Sequence, residues 1–126
     1  MSPAIIEGTL FNEILKDVLS TVSGAQAAVF LDGEGESIAQ AGDDAVDVKM
    51  LGAWKEIHLD HMRDIANRLG LGKVQAALFS HDAGVELVMP VSGDYCLTVL
   101  LSGNAHPRQA MAQIRTAVEL LKREVE

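Results

Sequence analysis

Cysteine occurs once in the 126 residues, at Cys96, so no internal disulfide can brace the fold. Aromatic residues are scarce: one Trp, one Tyr and three Phe, with no basic cluster between them, offer no platform for stacking bases. Positive charge is in deficit. Lys and Arg number 10 against 18 Asp and Glu, and the net charge of −8 repels phosphate backbones and anionic lipid. Neither nucleic acid nor membrane insertion is expected. No apolar run approaches the roughly 18 residues of a membrane-spanning helix. The opening residues, Met1 to Glu7, lack the charged and apolar regions of a secretory signal. With a lone cysteine, this points to a soluble cytoplasmic protein.

The motifs of small-molecule chemistry are missing as well. Gly33-Glu34-Gly35 begins like a dinucleotide loop, but Ile38 stands where the third glycine belongs. Gly72-Lys73 has the ending of a phosphate loop, but Asn67 replaces its first glycine and Val74 its Ser or Thr. No serine sits in a Gly-x-Ser-x-Gly elbow. His58 and His61 lie near Asp60 and Asp64, yet zinc wants three or four ligands, and no Cys-x-x-Cys or His-Glu-x-x-His accompanies them. Packing or a helix–helix hydrogen bond is the plainer role for both, with a pH-responsive contact as the other. His81 and His106 lie near loops and read as solvated. Cys96 lies in an apolar strand pattern and reads as a core thiol. The expectation is no catalytic residue, no cofactor and no metal.

What is present is a core. Hydrophobic residues make up 48% and charged residues 22%, which suits one globular domain over residues 1–126. Phe11, Ile14, Leu15, Val18, Leu19 and Val22 recur three and four apart, predicting a helix over Glu7 to Val22. Strand patterns follow at Ala25 to Leu31 and Ser37 to Ala41, joined by Asp32-Gly33-Glu34-Gly35, where a tight turn uses glycine's positive φ. Asp47 suits the N-cap of a second helix running to about Leu69, with Gly70 behind it. Three more strand patterns come at close spacing, Val74 to Ser80, Val85 to Val91 and Tyr95 to Leu101. Pro107 opens a last helix striped by Met111, Ile114, Val118, Leu121 and Val125.

Coverage of the sheet then raises a question. Strands at about 4.8 Å spacing make a sheet about 20 Å wide, and one helix is about 10 Å across. Two helices cover one face, but the third covers only half of the other. On the middle helix, Met50, Leu51, Trp54, Ile57, Met62, Ile65 and Leu69 form one broad apolar arc, with Gly52, Leu59 and Ala66 on a stripe beside it. Lys49, Glu56, Asp60, Arg63 and Asn67 fill the remaining wedge. The arc is wider than a helix lying on its own sheet requires. It is either a broad core face or a face shared between the sheet and a second copy's helix, and the second reading predicts a homodimer.

The run Val29-Phe30-Leu31-Asp32-x-x-Gly35-x-x-Ile38-Ala39-x-x-Gly42, with the closing strand Tyr95 to Leu101 and its helix, resembles roadblock (dynein light-chain type) domains over about Leu10 to Leu121. Their bacterial members include the MglB-like partners of small Ras-like GTPases. The resemblance implies an α/β (α+β) three-layer sandwich, α-ββ-α-βββ-α. Its five-stranded antiparallel sheet would have order 2-1-5-4-3, with two helices on one face and the middle helix on the other. It implies dimerisation through middle helices and third strands, which on this chain takes in Leu51, Gly52, Lys55, Leu59, Met62, Ala66, Val74 and Ala76. It also implies that the dimer binds a small Ras-like GTPase over the paired helices and promotes GTP hydrolysis without inserting a catalytic arginine. Lys49, Ala53, Glu56, Asp60, Arg63 and Asn67 would then face the GTPase. A non-catalytic dimerisation or scaffold subunit of a signalling or motility complex is the alternative. A small-ligand sensor using the sheet–helix crevice is a weaker third.

Overall fold

The helical period at Phe11, Ile14, Leu15 and Val18 becomes a buried stripe on α1 (Pro3–Thr21). The computed structural model describes residues 3–126, with side chains from residue 10 onward. After α1 come β1 (Ala25–Leu31), β2 (Ser37–Gly42), α2 (Val48–Arg68), β3 (Ala77–His81), β4 (Gly84–Pro90), β5 (Cys96–Ser102) and α3 (Pro107–Val125). The strands form one antiparallel sheet in the order β2-β1-β5-β4-β3. The apolar runs of β1 and β5 therefore lie side by side in its interior, with Phe30 opposite Leu97 and Ala28 opposite Val99.

Alternation along the strands sorts the two faces. Phe30, Leu87, Leu97 and Val99 pack under α1 and α3, with Leu15, Ile114 and Leu121 above them. The Phe30 ring lies 5.3 Å from Phe11 and 5.7 Å from Tyr95. Val29, Leu31, Val88 and Cys96 face the other way and meet Leu59 of α2. This is the expected α+β sandwich, with two helices on one face and one on the other. No helix among the described residues is long and apolar enough to cross a membrane.

Two local details differ from the sequence expectation. The glycine with positive φ in the first hairpin is Gly35 (φ 79°), not Gly33. Asp32 reorganises that turn: its carboxylate accepts the N–H groups of Glu34 and Glu36, at 2.9 and 3.0 Å. The third strand begins at Ala77 rather than Val74. Val74 and Ala76 are half-buried because each packs into a core, Val74 beside α2 and Ala76 on the opposite face, and not because they join the ladder.

Candidate functional site

Asp47 starts α2 by accepting the Met50 N–H at 3.1 Å, which satisfies one of the free donors of the first turn. At the far end Leu71 N–H donates to the Ala66 carbonyl and Gly70 N–H to that of Asn67. With Gly70 at φ 69°, this is a Schellman stop. Between these caps the helix carries two apolar faces and a polar flank.

The inner face holds Gly52, Lys55 and Leu59, all buried. Leu59 packs among Val29, Leu31, Val88 and Cys96. Gly52 lies against the β1–β2 turn so closely that a Cβ there would sit 1.9 Å from the Gly35 carbonyl oxygen. Lys55, 3% exposed, donates from Nζ to the carbonyls of Asp32 (3.1 Å) and Asp94 (3.4 Å) and to the Glu56 carboxylate (2.9 Å). A buried ammonium is tolerated there because its protons all find acceptors. The expected seam residues Gly52, Lys55 and Leu59 are thus interior to the protomer. The β1–β2 turn and the sheet already occupy the space that a second copy would need. Of the other expected seam residues, Met62 is exposed, while Leu51, Ala66, Val74 and Ala76 are half-buried.

The outer face is apolar and uncovered. Met50, Ile57 and Leu69 are 68%, 65% and 67% exposed, and Trp54, Met62 and Ile65 are exposed to a lesser degree. The Trp54 ring lies 4.1 Å from that of His58 and 6.4 Å from Phe79, so aromatic contacts tie this face to β3. β3 is an edge strand, Leu78 on it is exposed, and Leu71 is exposed in the loop before it. The sequence pattern contained these outer residues within its broad arc. Spacing alone does not separate them from the inner stripe: Leu51 and Leu69, eighteen residues apart, fall at the same helical angle, yet the first is half-buried and the second exposed.

The polar flank keeps the wedge together. Lys49, Ala53, Asp60 and Asn67 are exposed. Glu56 is half-buried and held by Lys55. Arg63 is half-buried as well. It donates to the Gly93 carbonyl at 3.1 Å and pairs with Asp94 at 3.5 Å and Asp60 at 3.8 Å. Arg63 and Glu56 therefore have intramolecular partners, which their surface reading did not anticipate.

Two titratable groups lie beneath α2. Burial pushes the Cys96 thiol up to about 11, against the smaller opposing pull of Lys55, which leaves it protonated and unreactive. Glu86 on β4 stands between Phe79 and Leu100 of the neighbouring strands. Burial raises its carboxyl above the ordinary carboxylate value, while His81 and His58 draw it back. Among the described residues no three His, Cys, Asp or Glu gather as a metal site would require.

Neither a protein-family model nor a curated protein matches the chain by sequence. Solved structures do match it. A Roadblock/LC7 domain from Streptomyces avermitilis agrees with a TM-score of 0.83 at 18% identity, over 90% of this chain and 96% of that one. MglB of Myxococcus xanthus gives 0.84 at 16%, over 91% of this chain and 94% of that one. An MglB with a tetrameric arrangement gives 0.85 at 17%, over 94% of this chain and 89% of that one. Agreement at this level in three layers and five strands shows that the chain has the roadblock fold, in the form seen in MglB-type domains.

Proposed function

We propose that this chain is a homodimeric regulatory protein that binds a small Ras-like GTPase and promotes its GTP hydrolysis. The observation that carries the reading is the uncovered apolar face of α2 beside a free edge strand. Soluble monomers rarely leave such a contiguous face open, and an open edge invites pairing. A second copy would cover both at once, with helix on helix and β3 on β3. At about 25 cal/mol per Å² of apolar surface removed from water, this is a substantial gain.

Pairing through the outer face sets the seam at Met50, Trp54, Ile57, Met62, Ile65 and Leu69 and leaves the flank of Lys49, Ala53, Asp60 and Asn67 free on both copies. That flank is mixed in charge and carries a small residue, which suits a reversible contact. The flank carries no Ser, Cys or His. Its effect on hydrolysis would come from ordering the GTPase's own switch loops. The likeness to MglB structures supports a roadblock-type regulatory or scaffold protein, and the choice of partner class follows the resemblance of the sequence.

Sedimentation at micromolar concentration should give a dimer. Phosphate release by a purified Ras-like GTPase of the same organism should quicken when the protein is added. A stable monomer overturns the first half of the proposal. An unchanged rate with every such GTPase overturns the second, and binding without acceleration assigns the dimer to a scaffold role.

A further inference from the structure

The cations of this acidic chain are unevenly placed. A cleft of about 830 Å³ opens between the C-terminal half of α3, the loop that leads into β3 and the turn between β4 and β5. Four of the ten Lys and Arg residues line it, Arg63, Lys73, Arg115 and Lys122, against two of the eighteen acids, Glu119 and Glu126. Glu126 accepts the Ser92 hydroxyl at 3.1 Å, and Arg63 is held by Gly93 and Asp94. Lys73, Arg115 and Lys122 have neither an ion pair nor a side-chain hydrogen bond among the described residues. Glu119 stands one helical turn from both Arg115 and Lys122, the usual spacing for a pair, yet it pairs with neither.

The cleft has a cause in the sheet. The ladder between β3 and β4 stops at Ala77 opposite Val88. The residues before Ala77 stand off from β4, and the N–H groups of Lys73, Val74 and Gln75 find no acceptor among the described residues. Buried Met89 and Val91, with half-buried Val74 and Val118, give the gap an apolar lining. Arg115 and Lys122 are seven residues apart on α3, about 10 Å along a helix axis, and Lys73 lies across the cleft in the loop. Cations so spread do not converge on a single phosphate. They suit carboxylates strung along an extended chain, which advances about 3.3 Å per residue.

We propose that this cleft binds an acidic segment of a partner protein in extended form. Its carboxylates lie on Lys73, Arg115 and Lys122, its apolar side chains lie against Val74 and Val118, and its carbonyls meet the free N–H groups of the loop. The unpaired cations set the sign of the ligand, and their spread, with the interrupted ladder, sets its extended form. At physiological salt, charges more than about 8 Å away are largely screened. A bound segment therefore meets these cations rather than the acidic whole. The cleft shares no residue with β3 or with the seam proposed on α2. The proposal goes beyond the GTPase reading and stands or falls whether or not a dimer or a GTPase complex forms.

The probe is a dye-labelled, end-capped peptide, Asp-Val-Asp-Val-Asp-Val, titrated with the full chain at ~0.15 M salt and read by fluorescence anisotropy. Its analogue with Asn for every Asp, and inorganic triphosphate as competitor and as ligand by calorimetry, are the comparisons. The acidic peptide should bind saturably. The Asn analogue should bind about tenfold more weakly or less, the size expected for one charge-assisted contact. Arg115→Gln with Lys122→Gln, checked for an unchanged circular dichroism spectrum, should bring the acidic peptide to the level of the analogue. Lys16→Gln with Arg108→Gln removes the same charge outside the cleft and should change nothing. Equal affinity for the two peptides, equal loss in the two double variants, or no saturable binding of the acidic peptide overturns the proposal. Binding of triphosphate without the peptide overturns it as well and makes the cleft a phosphate site.

Discussion

Gly52 shows how far one missing side chain shapes this molecule. The β1–β2 turn rests on the helix backbone at that point, and Gly35, at φ 79°, has little freedom to retreat. Gly52→Ala should therefore lower stability by about 1–3 kcal/mol, the usual penalty of overpacking, despite alanine's better helix propensity. Urea denaturation measures it, and an unchanged midpoint would mean that the turn yields. Glu86 gives a prediction in pH. Its folded-state value lies above the ordinary 4.5, so the folded form holds the proton more tightly than the unfolded one. The stabilising contribution is present below the ordinary value and is lost as pH rises through the raised one. Glu86→Gln abolishes this dependence. The variant's melting temperature relative to the parent should rise as pH climbs from the ordinary carboxylate value through the raised one and then level off; a flat difference contradicts the burial effect.

At the scale of the element, α2 separates two kinds of apolar residue that one period cannot distinguish. Ile57→Asp with Ile65→Asp touches only the outer face, so the variant should sediment as a folded monomer with an unchanged far-ultraviolet spectrum. Leu59→Arg instead drives an unpaired charge into the core beside Val29 and Cys96. It should unfold the protomer, at a cost of about 3–5 kcal/mol. Dimers that survive the first change, or a folded Leu59→Arg protein, would reverse the assignment of the faces. The contrast marks what was legible in the sequence. Element order, caps and central strands follow from local spacing and turn residues, and all could be read there. Which stripe of α2 meets the sheet depends on where the Gly35 turn lands, a long-range contact that leaves no periodic trace. Lys55 misleads for the same reason. Lysine usually marks a surface, and only the meeting of two distant turns supplies the carbonyls that let it be buried.

For the molecule as a whole, the excess of acid makes any protein partner's approach sensitive to charge. Lys49→Glu with Asp60→Lys exchanges charges on the exposed flank; it gives up the 3.8 Å Asp60–Arg63 pair and keeps the partners of Lys55 and Arg63 in the two turns. Dimer and fold should persist, and association with a GTPase should slow on the order of tenfold at low salt, less at high salt. Stopped-flow association measures this, and an unaltered rate would move the contact off α2. A mechanical consequence follows from Lys55 and Arg63. Between them they fasten one helix to the ends of two hairpins that are remote in sequence, at Asp32 on one side and at Gly93 and Asp94 on the other. A load applied to α2 from outside is then shared by both hairpin tips at once, like two stays on a single mast. The amides of Asp32 to Glu36 and of Ser92 to Tyr95 should lose hydrogen-exchange protection together, as one opening unit, and Lys55→Met should let them open separately.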